Sequence, residues 1–87
     1  MAYRLAIRPA AERDLRALPA TMLARVDARI RDLAEQARPR GVERLHGPQG
    51  GLRLQVGDYR ILYDVDDAEQ LVTIGRVRHR RDVYRGL

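Results

Sequence analysis

Apolar and polar residues alternate on both sides of Gly57-Asp58, within the stretch GLRLQVGDYRILYDV at positions 51–65. Alternation with a period of two is typical of a β-strand with one buried face, and a two-residue Gly-Asp loop is typical of a tight hairpin turn that needs a positive φ. The stretch therefore predicts a β-hairpin with one apolar and one polar surface. Because facing residues of a hairpin share a surface, the polar one should carry Arg53, Gln55 and Arg60.

The residues before this hairpin predict one strand and two helices. Residues 3–7 alternate as a short strand does, and Pro9 ends it. A helix is predicted from Pro9 up to Pro19, because proline is tolerated in the first turn of a helix. From residue 21 to about residue 37, apolar residues recur at steps of three and four, which predicts an amphipathic helix. Both helices need an apolar surface to cover, and the sheet offers one.

The residues after the second helix predict a loop, a further strand and a basic tail. Residues 38–51 are rich in glycine and proline, which favours a loop. Residues 71–78 predict a strand in which Gly75 indicates a β-bulge. Since a bulge changes which side chains share a surface, alternation alone leaves open which surface Arg78 joins. The ending HRRDVYRGL predicts a basic tail or a single helical turn.

Together these elements predict an α+β fold in one domain over residues 1–87. We expect an N-terminal strand, a helical hairpin and an antiparallel three-stranded meander, with the helices packed on one face of the sheet. Hydrophobic residues make up 45% of the chain and charged residues 33%, as in ordinary globular proteins. The sequence shows no signal peptide and no run near the ~20 apolar residues of a membrane span. With the absence of cysteine, this points to a cytoplasmic protein with no membrane partner.

The charge of the chain favours a polyanionic partner. The formal net charge is +5, and all 17 basic residues are arginine. Arginine can bind a phosphate through two parallel hydrogen bonds, which lysine cannot do. A compositional bias toward arginine is the alternative explanation for most of these positions.

The residues that common hydrolase mechanisms need are absent from the sequence. It has no serine, no cysteine, no glycine-rich phosphate loop and no histidine pair at metal-ligand spacing, so we expect no metal and no cofactor. The remaining arginines and tyrosines suit cleavage of RNA by its own 2′-hydroxyl. That reaction mainly requires a substrate held in line and a transition state whose charge is neutralised. Solvated arginines on an outward sheet surface are the alternative interpretation.

The hairpin VGDYRILYDV, the ending RVRHRRDVY and the helical segment LRALP together resemble the RelE branch of the RelE/ParE toxin superfamily, over essentially the whole chain. The resemblance implies a RelE-like toxin of a type II toxin-antitoxin system. Such a toxin is a ribosome-dependent endoribonuclease (mRNA interferase) that cuts messenger RNA and so inhibits translation. The implied partners are an acidic RelB-like antitoxin, mRNA in the ribosomal A site, and operator DNA bound through the toxin-antitoxin complex.

The resemblance also implies roles for particular residues. Arg53, Arg60 and Arg78 match basic residues that contact the scissile phosphate. Tyr84 matches a C-terminal tyrosine that stacks on a base or assists proton transfer. The other basic residues of the last strand and tail are expected to bind RNA or the ribosome: Arg76, Arg80, Arg81 and Arg85.

Gln55 departs from the family pattern, which usually has a second lysine or arginine there, often discussed as the general base. Glutamine can hydrogen-bond a phosphate but does not exchange protons at neutral pH. His79 is the candidate substitute, because the ordinary pKa of histidine lies near neutrality. A purely positioning mechanism is the other interpretation.

Two other functions remain open at this point. One is a ParE-like, non-enzymatic poison of DNA gyrase, although that branch generally lacks the set of arginines and the terminal tyrosine found in this sequence. The other is a degenerate toxin that acts only in antitoxin binding and operator regulation.

Overall fold

The computed structural model describes residues 2–45 and 51–81, and within them the chain forms two helices and five strands. In chain order these are β1 (Arg4–Ile7), α1 (Pro9–Arg16), α2 (Ala20–Asp32), β2 (Glu43–Arg44), β3 (Leu52–Val56), β4 (Tyr59–Asp66) and β5 (Leu71–His79). The predicted α+β fold is confirmed, and all the predicted helices and strands are present. Among the described residues, no helix is long and apolar enough to cross a membrane.

The strands form one mixed sheet in the order β1-β5-β4-β3-β2. Strands β3, β4 and β5 are the predicted antiparallel meander, and β1 pairs with β5 in parallel. The prediction of a loop over residues 38–51 was wrong at Glu43 and Arg44, which pair with β3 as a fifth strand. Two residues are too few to show an alternation, so this strand depends on its neighbour and left no pattern in the sequence.

The central hairpin has the predicted register. Gln55 lies opposite Arg60, Arg53 lies opposite Leu62, and Gly57 takes a positive φ of 58° in the turn. A side chain at that φ is disfavoured, and a Cβ on Gly57 would also come within 3.3 Å of the Met22 side chain. The turn therefore fixes which residues of β3 and β4 face each other.

The helices cover one face of the sheet, as predicted. Pro9 begins α1, and Pro19 caps the start of α2. Helix α2 ends at Asp32, five residues before the predicted end, yet Leu33 and Ala37 beyond it are still buried. The buried core consists of Ala11, Val26, Ile30, Leu33, Ala37, Leu52, Leu54, Val56, Ile61, Tyr63, Val72, Ile74 and Val77.

Helix α1 takes the place of a neighbouring strand beside the second half of β5. Strand β1 pairs with β5 only from Leu71 to Ile74. Further along, the N–H of Val77 donates instead to the Asp14 carboxylate on α1, at 2.9 Å. The carboxylate therefore satisfies a backbone group that a strand edge would leave open.

Candidate active site

A β-bulge at Gly75 decides which surface the arginines of β5 join. Val72 and Ile74 both point into the core with no exposed area. If the alternation continued without interruption, Arg76 and Arg78 would also point into the core. Instead the predicted bulge is present, because the pairing of β5 with β4 shifts by one residue at Gly75.

Beyond the bulge, alternation resumes in the opposite phase. Val77 is only 3% exposed and lies in the core, so its neighbours Arg76 and Arg78 lie on the sheet surface opposite the helices, which we call the outer surface. Arg60 lies on the outer surface too, since the adjacent Ile61 is fully buried. The structure therefore brings Arg60 and Arg78 onto one face.

Cross-strand pairing arranges the outer surface in two rows. The first row runs across β3, β4 and β5 as Gln55, Arg60 and Arg78. The second row is its neighbour and runs as Arg53, Leu62 and Arg76. Facing residues in a sheet have Cβ atoms about 4.5–5.5 Å apart, so side chains within a row can act on the same ligand.

Acidic partners distinguish the arginines of the two rows. In the second row, Arg53 forms an ion pair with Glu43, and Arg76 binds Asp14 at 2.8 and 3.1 Å. In the first row, the hydrogen bond that Arg60 makes to a described residue is to the backbone carbonyl of Tyr59, at 3.2 Å. Within residues 2–45 and 51–81, neither Arg60 nor Arg78 has a carboxylate partner. The first row can therefore bind an anion without first displacing a carboxylate of the described residues.

The acidic partners of the second row are firmly ionised. Partial burial of Asp14 opposes its ionisation, but hydrogen bonds from Arg76 and from the Val77 N–H outweigh that effect, and the pKa of Asp14 is lowered. The hydrogen bond from Arg53 likewise lowers the pKa of Glu43. Both carboxylates therefore carry a full negative charge at neutral pH.

Gln55 completes the first row from β3, where its side chain is exposed. Its amide nitrogen donates to the carbonyl oxygen of Gly57, at 3.0 Å, which holds it beside the hairpin turn. The amide can add a neutral hydrogen bond to a ligand bound at Arg60. It cannot take up a proton there.

His79 lies on the helix side of the sheet and not on the outer surface. Its ring meets the ring of Tyr59 edge to face, with centroids 5.3 Å apart. Its Nδ1 accepts a hydrogen bond from the Arg81 N–H at 3.3 Å. This placement does not support proton transfer by His79 at the first row.

The basic residues after β5 lie at the end of the first row. Arg80 and Arg81 are exposed and helical. The N–H of Arg80 donates to the carbonyl of Asp58 at 2.7 Å, so the end of β5 is tied to the hairpin turn. Tyr84 and Arg85 lie outside the described residues, and their predicted roles stay predictions.

Three residues that shape this surface were not anticipated as site residues. Asp14 and Glu43 neutralise the second row, and Leu62 is an apolar residue between the two arginines of that row. Asp14 is 62 positions from Arg76, so no local pattern connects them. Leu62 alone left a signal, because it falls on the polar side of the alternation in β4. In the part of the chain that the structure describes, no group of acidic residues and histidines could hold a metal ion.

Comparison with known proteins agrees with the fold and identifies the family. Residues 5–84 match the family described as ParE toxin of type II toxin-antitoxin system, parDE. Toxin RelG of Mycobacterium tuberculosis is 36% identical over 86 residues, which cover 98% of this chain and 99% of that protein.

Two solved toxin-antitoxin complexes contain a similar chain. In the RelBE2 complex of Mycobacterium tuberculosis, a chain is 33% identical with a TM-score of 0.81, and the match covers 91% of this chain and 92% of that one. In the archaeal RelE-RelB complex of Pyrococcus horikoshii OT3, the identity is 27% and the TM-score 0.81, with 92% and 97% covered. This chain therefore belongs to the RelE/ParE superfamily and is a RelE-like toxin of a type II toxin-antitoxin system.

Proposed function

We propose that this toxin is a ribosome-dependent endoribonuclease that acts in the cytoplasm and stops translation by cutting messenger RNA in the ribosomal A site. The observation that carries the proposal is the first row. Arg60 and Arg78 face each other on adjacent strands, on an open surface, without a carboxylate partner among the described residues. Two like charges held side by side favour a site for an anion such as a phosphodiester.

The chemistry that this row can support is attack of a 2′-hydroxyl oxygen on the adjacent phosphorus, which forms the bond to the 2′-oxygen and breaks the bond to the 5′-oxygen. The 2′-hydroxyl would release its proton to water, and water would protonate the departing 5′-oxygen. Arg60 and Arg78 would bind the non-bridging oxygens and stabilise the extra negative charge of the transition state. Gln55 would add a neutral hydrogen bond from β3. Groups that stabilise a developing charge in this way are each worth about 10²–10³ in rate.

Positioning and charge stabilisation carry the proposed mechanism, with no dedicated general base in the first row. Gln55 does not titrate, and a guanidinium group offers hydrogen-bond donors but no acceptor for a proton. His79 points to the helix side. The ribosome and two guanidinium groups would hold the 2′-oxygen in line with the phosphorus. Orientation of this kind supplies a large part of the rate enhancement of an enzyme.

The antitoxin is the second proposed partner. Relatives of this chain were solved as RelBE2 and RelE-RelB complexes, and by analogy this toxin would bind a RelB-like antitoxin. The net charge of +5 favours an acidic antitoxin whose attraction weakens as salt rises. Operator DNA would be bound through the toxin-antitoxin complex, which brings a second polyanion to the assembly.

The decisive experiment maps RNA ends on translating ribosomes. Wild-type toxin is expected to leave a 2′,3′-cyclic or 3′-phosphate and a free 5′-hydroxyl on messages in programmed ribosomes, and to leave free RNA intact. Arg60→Ala and Arg78→Ala should each abolish most of this cleavage, whereas Arg31→Ala on α2 should cut like wild type. Intact messages with the wild-type toxin would overturn the proposal.

The same variants separate the two other candidate functions. A ParE-like gyrase poison would stall supercoiling by purified gyrase and leave ribosome-bound messages intact. A degenerate toxin would bind the antitoxin normally, and Arg60→Ala would not change its effect on bacterial growth. Arg60 and Arg78, which have no ion-pair partner among the residues that the structure describes, favour the nuclease over both, because neither alternative needs them.

A further inference from the structure

A groove on the outer surface includes Leu62 and Arg76 of the second row in its lining. It has a volume of about 610 Å³ and lies between the end of β1 and the edge of β3. Ligand pockets of about 300–1,000 Å³ hold small organic molecules, so the groove is large enough for one nucleoside. The residues that matter for its chemistry are Arg8, Leu62, Asp64, Gly75 and Arg76.

The floor of the groove is apolar although the surface around it is polar. Leu62 is half-buried there, between Arg53 and Arg76 in the second row. Gly75 lines the same floor without a side chain. A leucine on the solvent side of a strand, beside a glycine with no side chain to cover it, offers apolar surface that a base or a ribose can bury.

The polar wall of the groove is fixed in place. The guanidinium of Arg76 is held by two hydrogen bonds to Asp14, so its position does not depend on a ligand. Arg8 lies at the groove as a second cation, and Asp64 supplies a carboxylate that can accept hydrogen bonds. An apolar floor with donors and an acceptor at its rim suits a nucleoside better than a second phosphate.

The spacing along β4 connects the groove to the first row. Arg60 and Leu62 are two residues apart, which is roughly 6.6–6.8 Å along a strand. This is close to the length of one nucleotide in extended single-stranded RNA. We propose that the groove floored by Leu62 and Gly75 holds the base and ribose of a nucleotide next to the phosphate bound by Arg60 and Arg78. The inference rests on the proposed nuclease function and adds a substrate subsite to it.

Binding can be tested on the full chain by NMR, with labelled leucine methyl groups and arginine side chains. The probes are inorganic phosphate and a trinucleotide RNA whose 2′-O-methyl groups prevent cleavage. Both should shift the Arg60 and Arg78 signals, but only the RNA should shift Leu62. Leu5, which is 36% exposed on β1 away from the groove, should respond to neither. RNA that shifts Arg60 and Arg78 but not Leu62 would overturn the subsite and leave the proposed function standing.

Cleavage on programmed ribosomes gives an independent test. Leu62→Asn should raise KM by about 3- to 10-fold with little change in kcat, because it removes an apolar contact and keeps the first row. It should also redistribute the cut positions. Leu62→Phe should retain both the wild-type KM and the cut positions, and Leu5→Asn is the matched control. Wild-type kinetics and cut sites in Leu62→Asn would overturn the subsite, whereas an inactive wild type would overturn the proposed function and the subsite with it.

Discussion

Arg60 and Arg78 lie directly opposite each other on β4 and β5, and in the described part of the chain neither forms an ion pair with a carboxylate. Like charges at facing positions of a sheet repel each other and destabilise the fold. The neighbouring second row shows that the chain can neutralise such residues, since Arg53 and Arg76 both have acidic partners. The first row therefore carries a cost in stability that a ligand-binding role explains.

Replacing either arginine of the first row should stabilise the protein and inactivate it. Arg60→Gln and Arg78→Gln are each expected to raise the free energy of unfolding by about 0.2–1 kcal/mol, and by more at low salt, because the repulsion is removed. Each should lower the cleavage rate on ribosomes by about 100-fold or more. Urea denaturation at two salt concentrations and a cleavage assay measure the two effects.

The matched control for the first row is Arg31→Gln. Arg31 lies on α2 and pairs with Asp27 at 3.0 Å, one helical turn away. Losing that exposed pair should lower stability by at most about 0.5 kcal/mol and leave cleavage unchanged. An Arg60→Gln variant that loses more stability than Arg31→Gln would contradict the repulsion argument.

Neutralising Glu43 should strengthen RNA binding. The Glu43 carboxylate occupies Arg53, which lies on the outer surface beside the first row. A phosphate approaching Arg53 must compete with it, so Glu43→Gln is expected to raise the affinity for single-stranded RNA by up to about fivefold. Fluorescence anisotropy with a labelled oligonucleotide measures this.

Glu69→Gln is the control for Glu43→Gln, since it makes the same change in net charge. Glu69 pairs with Arg4 at 3.8 Å, in the turn before β5 and away from the two rows. If both variants raise the affinity equally, the effect is one of net charge, and Arg53 has no special part in binding.

The hairpin and the core could be predicted from the sequence because both depend on local patterns. The alternation around Gly57-Asp58 predicted the pairing of Gln55 with Arg60. The spacing of three and four residues predicted the buried side of α2. The face taken by Arg78 could not be predicted, although Gly75 was recognised as a bulge. The position of the extra residue relative to β4 is set by pairing between strands, which no pattern within β5 specifies.

Which arginines have acidic partners could not be predicted from the sequence either. Arg53, Arg60, Arg76 and Arg78 are the same residue in similar strand contexts, and the sequence assigned them all to the site or its surroundings. What separates them is long-range: Asp14 comes from the first helix, and Glu43 from a two-residue strand that only its partner stabilises. Ion pairs between distant elements leave no periodicity to detect.

Asp14 should stabilise the fold in a way that depends on acid pH. Its carboxylate accepts hydrogen bonds from Arg76 and from the Val77 N–H, so Asp14→Asn is expected to lower the free energy of unfolding by about 1–3 kcal/mol at pH 7. The pKa of Asp14 is lowered from its ordinary 3.8 in the folded protein. Its contribution is therefore present above that value and is lost as the pH falls through the folded pKa.

Denaturation curves between pH 7 and pH 2 test whether the stabilisation by Asp14 is lost as the pH falls. The stability of the wild type and of Asp14→Asn should converge as the pH falls below about 4. Asp32→Asn, which removes an exposed carboxylate at the end of α2, is the control and should not lose stability at pH 7. A gap between wild type and Asp14→Asn that persists at pH 2 would mean that the asparagine loses packing and not charge.

Tyr63 should determine how the protein responds to alkaline pH. Burial raises its pKa from the ordinary 10.0 to about 12, and its hydroxyl donates to the buried carbonyl of Ala37 at 2.8 Å. The unfolded chain loses the proton near pH 10, while the folded chain keeps it to about pH 12. The stabilisation is therefore complete below pH 10 and should fall by at most about 3 kcal/mol as the pH rises to 12.

The absence of lysine makes this alkaline window unusually easy to interpret. With every basic residue an arginine, the side chains that release protons between pH 10 and 12 are the tyrosines. Tyr63→Phe should lose about 0.5–1.5 kcal/mol at pH 7 with the hydrogen bond, but its stability should decline less steeply above pH 10. Tyr59→Phe, which removes the hydroxyl of a half-buried ring at the sheet end, is the comparison for the loss of a tyrosine hydroxyl as such. Equal slopes in Tyr63→Phe and the wild type would show that Tyr63 releases its proton without unfolding, and that its hydroxyl is less enclosed than the contact with Ala37 indicates.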